Sequence, residues 1–383
     1  MLLIRSGEVH DGKGNVFSET DVLIDNGKII KIGKNLKASE NAKVVEAKGK
    51  FICPGFIDSL NIWGGMGPGW EDKDLAEHSN PVTPHMNVIH SFDQDGMMFQ
   101  RVFEYGITAM GLTPSTSNVI GGQIGVFKTF GNHPYKMLIK ESVGMRGSIS
   151  KTIKAVHGKQ NKMPMTRMGV VSLLKNALIK AKNYDLDKEG TEYNMEHEAM
   201  KRVLNKEMPL FIHCNTKSEI EAAELALKEF DINIVFTGAL GIKELKNEEN
   251  KEKGIILGDL TQAMSSYSLD LEIEKIKELK KKGHLVAISC CGDETASGKE
   301  SLLWNAALYH KYGFEREEIL KMMTSIPAKL LNVDDKIGSI EEGKDADILI
   351  WTENPIAYFT ANLEAAFIDG ENTLDTKGAT SCW

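Results

Sequence analysis

The middle of the chain switches its hydrophobic period repeatedly, and this switching limits the folds open to it. Short apolar runs of strand type appear at residues 106–114 (GITAMGLTP), 209–215 (PLFIHCN), 232–238 (INIVFTG), 254–258 (GIILG) and 284–291 (HLVAISCC). Between them lie segments whose apolar residues recur every three or four positions, the period of a helix packed on one face. These are residues 95–106, 167–184, 218–230 and 271–283. Most close on Gly, Asn or a basic turn, as helix ends do. Strand and helix in alternation predict a parallel α/β fold, most simply a (β/α)8 barrel. A doubly wound sheet is the alternative, but no GxGxxG turn joins a strand to a helix.

The two ends read differently. DVLIDNGKIIKIG and AKVVEAKGKFI near the start, and GSIEEGKDADILIW and LEAAFIDGENTL near the finish, are short β-type runs broken by Gly and Asn-Gly signals. The expected organisation is a composite β-sandwich from residues 1–53 and 335–372, a barrel over 54–334, and a tail over 373–383. Of 383 residues, 42% are hydrophobic and 26% charged, an ordinary globular balance. Net charge is −8 with no separate basic patch, which disfavours nucleic acid. No apolar run approaches the ~20 residues of a membrane span, and the first residues are too short an apolar stretch for a signal peptide. A cytoplasmic protein is expected. Five cysteines at sparse spacing, with no CxxC, do not make a disulfide framework or a structural zinc motif. The charged stretches NYDLDKEGTEYNMEHEAMKRVLNKEM and KELKNEENKEKG read as surface. His197-Glu198 lacks the second histidine of a metalloprotease helix.

Three segments carry a family resemblance: VVEAKGKFICPGFID, SIPAKLLNVDDKIGSIEEGKDADILIW, and the mid-chain group NPVTPHMNVIHSFDQDG, STSNVIGGQIGVFKTFG and NKMPMTRMG. On these the chain resembles the amidohydrolase superfamily, on its imidazolonepropionase-like side. The resemblance implies a (β/α)8 barrel with a small β-sandwich. It also implies hydrolysis of non-peptide C–N bonds in small cyclic or acyclic amides by a water activated on one or two divalent metals. The implied ligands are a His-x-His, sometimes a carboxylated Lys, later single histidines, and an Asp on the last strand.

Carried over residue by residue, most of that set is replaced. The His-x-His falls on Leu60 and Ile62, the lysine on Arg146, a later histidine on Thr237, and the aspartate on Cys291; His213 is kept, and Asn215 follows it. Arginine stays protonated and forms no carbamate. Tetrahedral zinc catalysis needs three protein ligands and an open position. No cofactor is therefore expected, although a thiolate-bound metal between Cys291 and His213 stays open. The leading expectation is a pseudoenzyme that binds a small molecule, itself, or an intact paralogue, without nucleic acid or membrane. The alternatives are a repurposed enzyme with Cys291 as nucleophile or soft-metal ligand and His213 as base or co-ligand, and a hydrolase of cyclic amides with atypical ligands.

Strand alternation sends one of Cys290 and Cys291 inward and the other outward; the resemblance implies that Cys291, His213 and Asn215 face inward and Cys214 and Cys290 outward, where burial as packing residues is expected. Asp293 and Glu294 follow Cys291 on the expected loop above the mouth, and Cys291 also suits a small residue that fills the space of a lost metal. His85, Asn118, Gln123 and Arg167 are candidates for a ligand pocket, or else residues that shape loops around the Gly121-Gly122 pair. Asp58 is expected to brace the strand end. The Cys382-Trp383 tail is expected to dock on its own or a neighbouring subunit.

Overall fold

The structure is a computed structural model that describes residues 1–67, 72–242, 245, 253–260, 273–290 and 298–375. The first sheet is built from both chain ends. Strands β1 (Leu2–His10), β2 (Val16–Asp25) and β3 (Lys28–Gly33) form an antiparallel run, with β4 (Lys43–Glu46) added beside β1. Asn26 and Gly27 both take positive φ between β2 and β3, the backbone a two-residue hairpin requires. β5 (Phe51–Pro54) then joins β1 to the returning C-terminal strands β14 (Ile348–Trp351), β15 (Leu363–Ile368) and β16 (Glu371–Asn372).

The second sheet is the barrel wall. Its strands run in order β6 (Phe56–Asn61), β7 (Ile107–Leu112), β8 (Ile120–Lys128), β9 (Leu138–Ser148), β10 (Leu210–Cys214), β11 (Ile234–Gly238), β12 (Gly254–Leu257) and β13 (Leu285–Ile288). Two serines join its ends: Ser59 Oγ donates to the Ile288 carbonyl over 3.2 Å, and Ser289 Oγ lies 2.7 Å from the Leu60 carbonyl oxygen. The fold is thus α/β, a TIM-type barrel with an additional sheet, as the alternating periods imply.

Two local expectations need correction. Residues 95–106 form only a short 3-10 turn, Val102–Tyr105, entered by Arg101 at φ +58° and left by Gly106 at φ +81°. Their apolar residues pack as a turn, with Phe99 and Val102 buried. The barrel is also not wholly parallel. β8 runs antiparallel to both β7 and β9, so the Gly121-Gly122 pair lies inside a strand rather than in a loop. Gly122 has φ +129°, and a Cβ there would stand 2.5 Å from the Met86 carbonyl oxygen, so only glycine fits.

The helices Arg167–Asn183, Lys217–Leu227 and Ile273–Lys281 lie where the three- and four-residue periods place them. The charged segment around residue 197 contains helix Met195–Leu204, which buries Ala199, Met200 and Val203, so one face of it is core. Among the described residues no helix is long and apolar enough to cross a membrane.

Lys128, at the end of β8, ties the two sheets together. Its Nζ lies 2.7 Å from both carboxylate oxygens of Asp347, 3.0 Å from Asp345 and 3.0 Å from Asp369. Burial opposes its charge, but the three carboxylates hold its pKa above the ordinary lysine value.

Candidate functional site

The site is built at the C-terminal ends of β6, β9, β10 and β11. Arg146 on β9 is 2% exposed, and its Nη1 donates to Thr237 Oγ1 on β11 over 2.7 Å. Register pairs Phe211 of β10 with Arg146, and His213 with Thr237. The Arg146–Thr237 bond therefore spans the intervening strand. A guanidinium has no acceptor, so Thr237 accepts from it. The hydroxyl proton is then free to face His213 Nδ1, 3.4 Å away.

The chain past His213 is held by local chemistry. Thr216 and Glu219 form a reciprocal cap at the start of helix Lys217–Leu227, and Glu219 Oε2 also accepts from the Asn215 amide. Opposite them, Gly238 has φ +76°, and a Cβ there would meet Asn215 Oδ1 at 2.2 Å and His213 Cε1 at 2.7 Å.

β6 supplies Leu60 and Ile62, 3% and 6% exposed. Leu60 packs with the interior residues Ile57, Ala109, Phe211 and Ile256, while Ile62 reaches a cavity of about 90 Å³ at the barrel mouth. Asp58 does brace this strand end. It accepts from Asn61 Nδ2 at 2.5 Å, Ser289 Oγ at 2.7 Å, the Cys290 amide at 3.3 Å and the Cys290 thiol at 2.6 Å. Burial pushes its carboxyl above the ordinary value, against the pull of those donors. Asn61 Oδ1 in turn accepts from the Trp63 amide and fixes the turn that follows. Met66 then makes a β-bridge with Lys73, which places Lys73 on the cavity wall beside Ile62 and Arg146.

Lys73, His78, Thr113 and Thr116 also line this cavity and did not stand out in the sequence. They sit on connections after β6 and β7, where no spacing signals convergence. His78 Nε2 contacts Ser117 Oγ at 2.8 Å, and Ser117 Oγ contacts Ser115 Oγ at 2.8 Å.

The four other pocket candidates lie elsewhere among the described residues. Asn118 is buried, with His157 Nε2 against its Oδ1 at 2.9 Å and its Nδ2 on the Glu77 carbonyl at 2.9 Å. Gln123 accepts from Ser142 Oγ at 2.6 Å and Arg202 Nη1 at 3.0 Å, and donates to the Pro84 carbonyl at 3.2 Å. His85 stands 3.9 Å from Glu196. Arg167 is half-buried and reaches the Ser218 carbonyl and hydroxyl at 3.3 and 3.2 Å. None of the four is among the described residues lining the cavity. Burial pushes the imidazole of His157 below its ordinary value, and the neighbouring His78 adds to this.

Cys291, Asp293, Glu294 and the tail 376–383 lie outside the described residues. The other three cysteines outside the tail, Cys53, Cys214 and Cys290, are buried and make no disulfide with one another. Burial drives the thiols of Cys53 and Cys214 well above the ordinary value. The described side chains at the site are a poor donor set for a divalent cation. Leu60 and Ile62 offer carbon, Arg146 offers positive charge, and Thr237 offers a hydroxyl already bonded to that charge. Among the described residues no three His, Cys, Asp or Glu side chains come together to hold a metal.

Comparison with known proteins bears on this geometry. Residues 144–373, more than half the chain, match the model of the amidohydrolase family. A crystal structure of an amidohydrolase from Thermotoga maritima superposes with a TM-score of 0.89 at 30% identity, covering 97% of this chain and 99% of that one. Imidazolonepropionase from Thermoanaerobacter pseudethanolicus is 25% identical over 357 residues, 86% of this chain and 83% of that protein. Amidohydrolase tasK from Hapsidospora irregularis is 24% identical over 396 residues, which takes in 93% of this chain. The chain spans only 40% of the length of that relative.

Proposed function

The chain belongs to the amidohydrolase family, and on that premise we propose that it is a member without metal-dependent C–N hydrolysis, whose barrel mouth binds a small molecule or a partner. The observation that carries this is the Arg146–Thr237 hydrogen bond. Two positions that the family resemblance assigns to metal ligands are bonded to each other, and one of them is itself a cation. A divalent ion would have to sit against a guanidinium at close range, where like charges in a buried site repel strongly. Leu60 and Ile62 withdraw two further donors from the same mouth. The cofactor expectation follows: none is needed, and His213 with Cys291 is the pair that would take a soft metal if one is bound.

Hydrolysis of a small cyclic amide with other ligands is the second reading. It is supported by the relatives, which are described as an imidazolonepropionase and as amidohydrolases.

Elemental analysis of protein purified without chelator separates the readings, run beside a thiol-reactivity assay and a C–N hydrolysis assay on a panel of small cyclic amides. The proposal expects well under one zinc, iron, nickel or manganese per chain and no turnover. One tightly held metal per chain, lost in Cys291→Ala, overturns it. A metal-free protein with an unusually reactive Cys291 moves the assignment to thiol chemistry.

A further inference from the structure

We propose that the run Met163-Pro164-Met165-Thr166-Arg167-Met168, at the start of helix Arg167–Asn183, binds a soft monovalent cation, copper(I), through its three thioethers. The site is separate from the barrel mouth, and its failure would leave the proposed function untouched.

Met163, Met165 and Met168 are 52%, 57% and 79% exposed, although methionine is a residue that cores absorb readily. The other exposed methionines among the described residues, Met1, Met86, Met97 and Met195, are scattered along the chain. Other residues hold the segment in shape. Pro164 is buried and packs on Gly169, where an added Cβ would stand 3.2 Å from the proline Cβ. Thr166 caps the helix by accepting from the Gly169 amide. This fold-back draws the two ends of the run together. The Met163 methyl lies 3.6 Å from the same point on Gly169, the residue that follows Met168. Met165 stands between them, on the other side of the cap from Met168. Arg167, inside the run, is drawn away to the Ser218 carbonyl and hydroxyl at 3.3 and 3.2 Å.

The donor type selects the ion. A thioether sulfur is uncharged and polarisable and only a weak hydrogen-bond acceptor. Such donors do not hold Mg²⁺ or Ca²⁺, which take oxygen, whereas they suit copper(I). The neighbouring positive charges of Lys162 and Arg167 repel a dication twice as strongly as a monocation at the same distance. Methionine has three rotatable bonds, so the sulfurs can gather around one ion without moving the backbone. A thioether also has no proton to lose. Binding here should therefore survive a fall in pH that weakens cysteine and histidine sites.

The test uses the full chain with its methionine methyls labelled with carbon-13, after treatment with iodoacetamide. Silver(I), an air-stable ion of the same charge and softness, is titrated and followed by NMR. The methyl resonances of Met163, Met165 and Met168 are expected to move together and saturate near one ion per chain. Those of the isolated Met97 and Met195 should move only at about tenfold higher silver or more, since a single thioether cannot chelate. The combined variant Met163→Leu, Met165→Leu and Met168→Leu conserves volume on an exposed segment, and should lose the saturating step while keeping its circular dichroism. Competition with bicinchoninate under anaerobic conditions then reads copper(I) itself, with affinity expected to hold between pH 7.5 and 5.5. Shifts that run in parallel at all exposed methionines overturn the proposal, as does the absence of any shift at the three. So does a copper(I) affinity that the leucine variant keeps or that collapses at pH 5.5, either of which would place the ion on cysteine or histidine.

Discussion

Arg146 and Thr237 are bonded across β10 at 2.7 Å, over the strand that carries His213. A permanent guanidinium is thus buried near the end of β9 and bonded to a hydroxyl from two strands away. Arg146 also lines the cavity at the barrel mouth, with Lys73 on the same wall.

Restoring donors on β6 should therefore not restore metal binding while Arg146 remains. In the variant Leu60→His with Ile62→His, zinc affinity should stay weak. Adding Arg146→Met should strengthen it by roughly tenfold or more, since one repulsive charge at close range is removed. A competition titration with a zinc-sensitive dye measures both. Equal affinity in the two variants would show that Arg146 does not govern the site.

The His10 contact predicts how stability depends on pH. His10 Nδ1 lies 2.7 Å from Glu317 on helix Arg316–Met323, and Nε2 lies 3.0 Å from Glu8. Burial works against the imidazolium, but Glu317 and then Glu8 outweigh it, so the pKa stands above the ordinary histidine value. A group whose folded pKa is raised contributes its full stabilisation below the unfolded pKa and loses it as pH rises through the folded one. Urea unfolding of wild type from pH 5 to 9 should show this loss above the ordinary histidine range. His10→Gln should lack that component of the profile.

Lys128→Met should destabilise the protein by about 3–5 kcal/mol, because it leaves Asp347 buried without its cation and removes one ion pair each from Asp369 and from Asp345, which keeps Lys28. Denaturant midpoints measure the loss. Adding Asp347→Leu should recover part of it, since an apolar pair of similar volume avoids the desolvation cost. A double variant no more stable than Lys128→Met would show that the cost lies elsewhere.

Gly238→Ala should cost about 1–3 kcal/mol, the range for an L-residue forced into a left-handed conformation. The new Cβ would also press on Asn215 and His213. The variant should therefore shift the His213 imidazole resonances as well as lower the melting temperature. A change in melting temperature without a change in those resonances would place the strain away from the site.

Most of the barrel was legible in the chain because strand and helix periods are local. Each run buries one face or both, and that choice is written in residues two, three or four apart. The failures were local signals overruled by long-range packing. Residues 95–106 have a helical spacing, but Arg101 and Gly106 take left-handed conformations and the segment closes as a turn before β7. The β8–β9 antiparallel pair was hidden because glycines at 121, 122, 125 and 144 give no alternation to read.

The sequence by itself determined the fold class and the chemical nature of the residues at the mouth. Leucine and isoleucine carry no donor atom and arginine stays charged, and this follows from side-chain chemistry alone. Tertiary structure decided what those residues do instead. Arg146 and Thr237 are 91 residues apart in the chain and meet only because β9 and β11 flank β10. Lys73 joins them through a bridge to Met66, which depends on a turn held by Asn61 and Asp58. Hydrogen bonds and fields act over a few ångströms of space rather than along the chain. Which polar groups face each other was therefore set by the closure of the barrel.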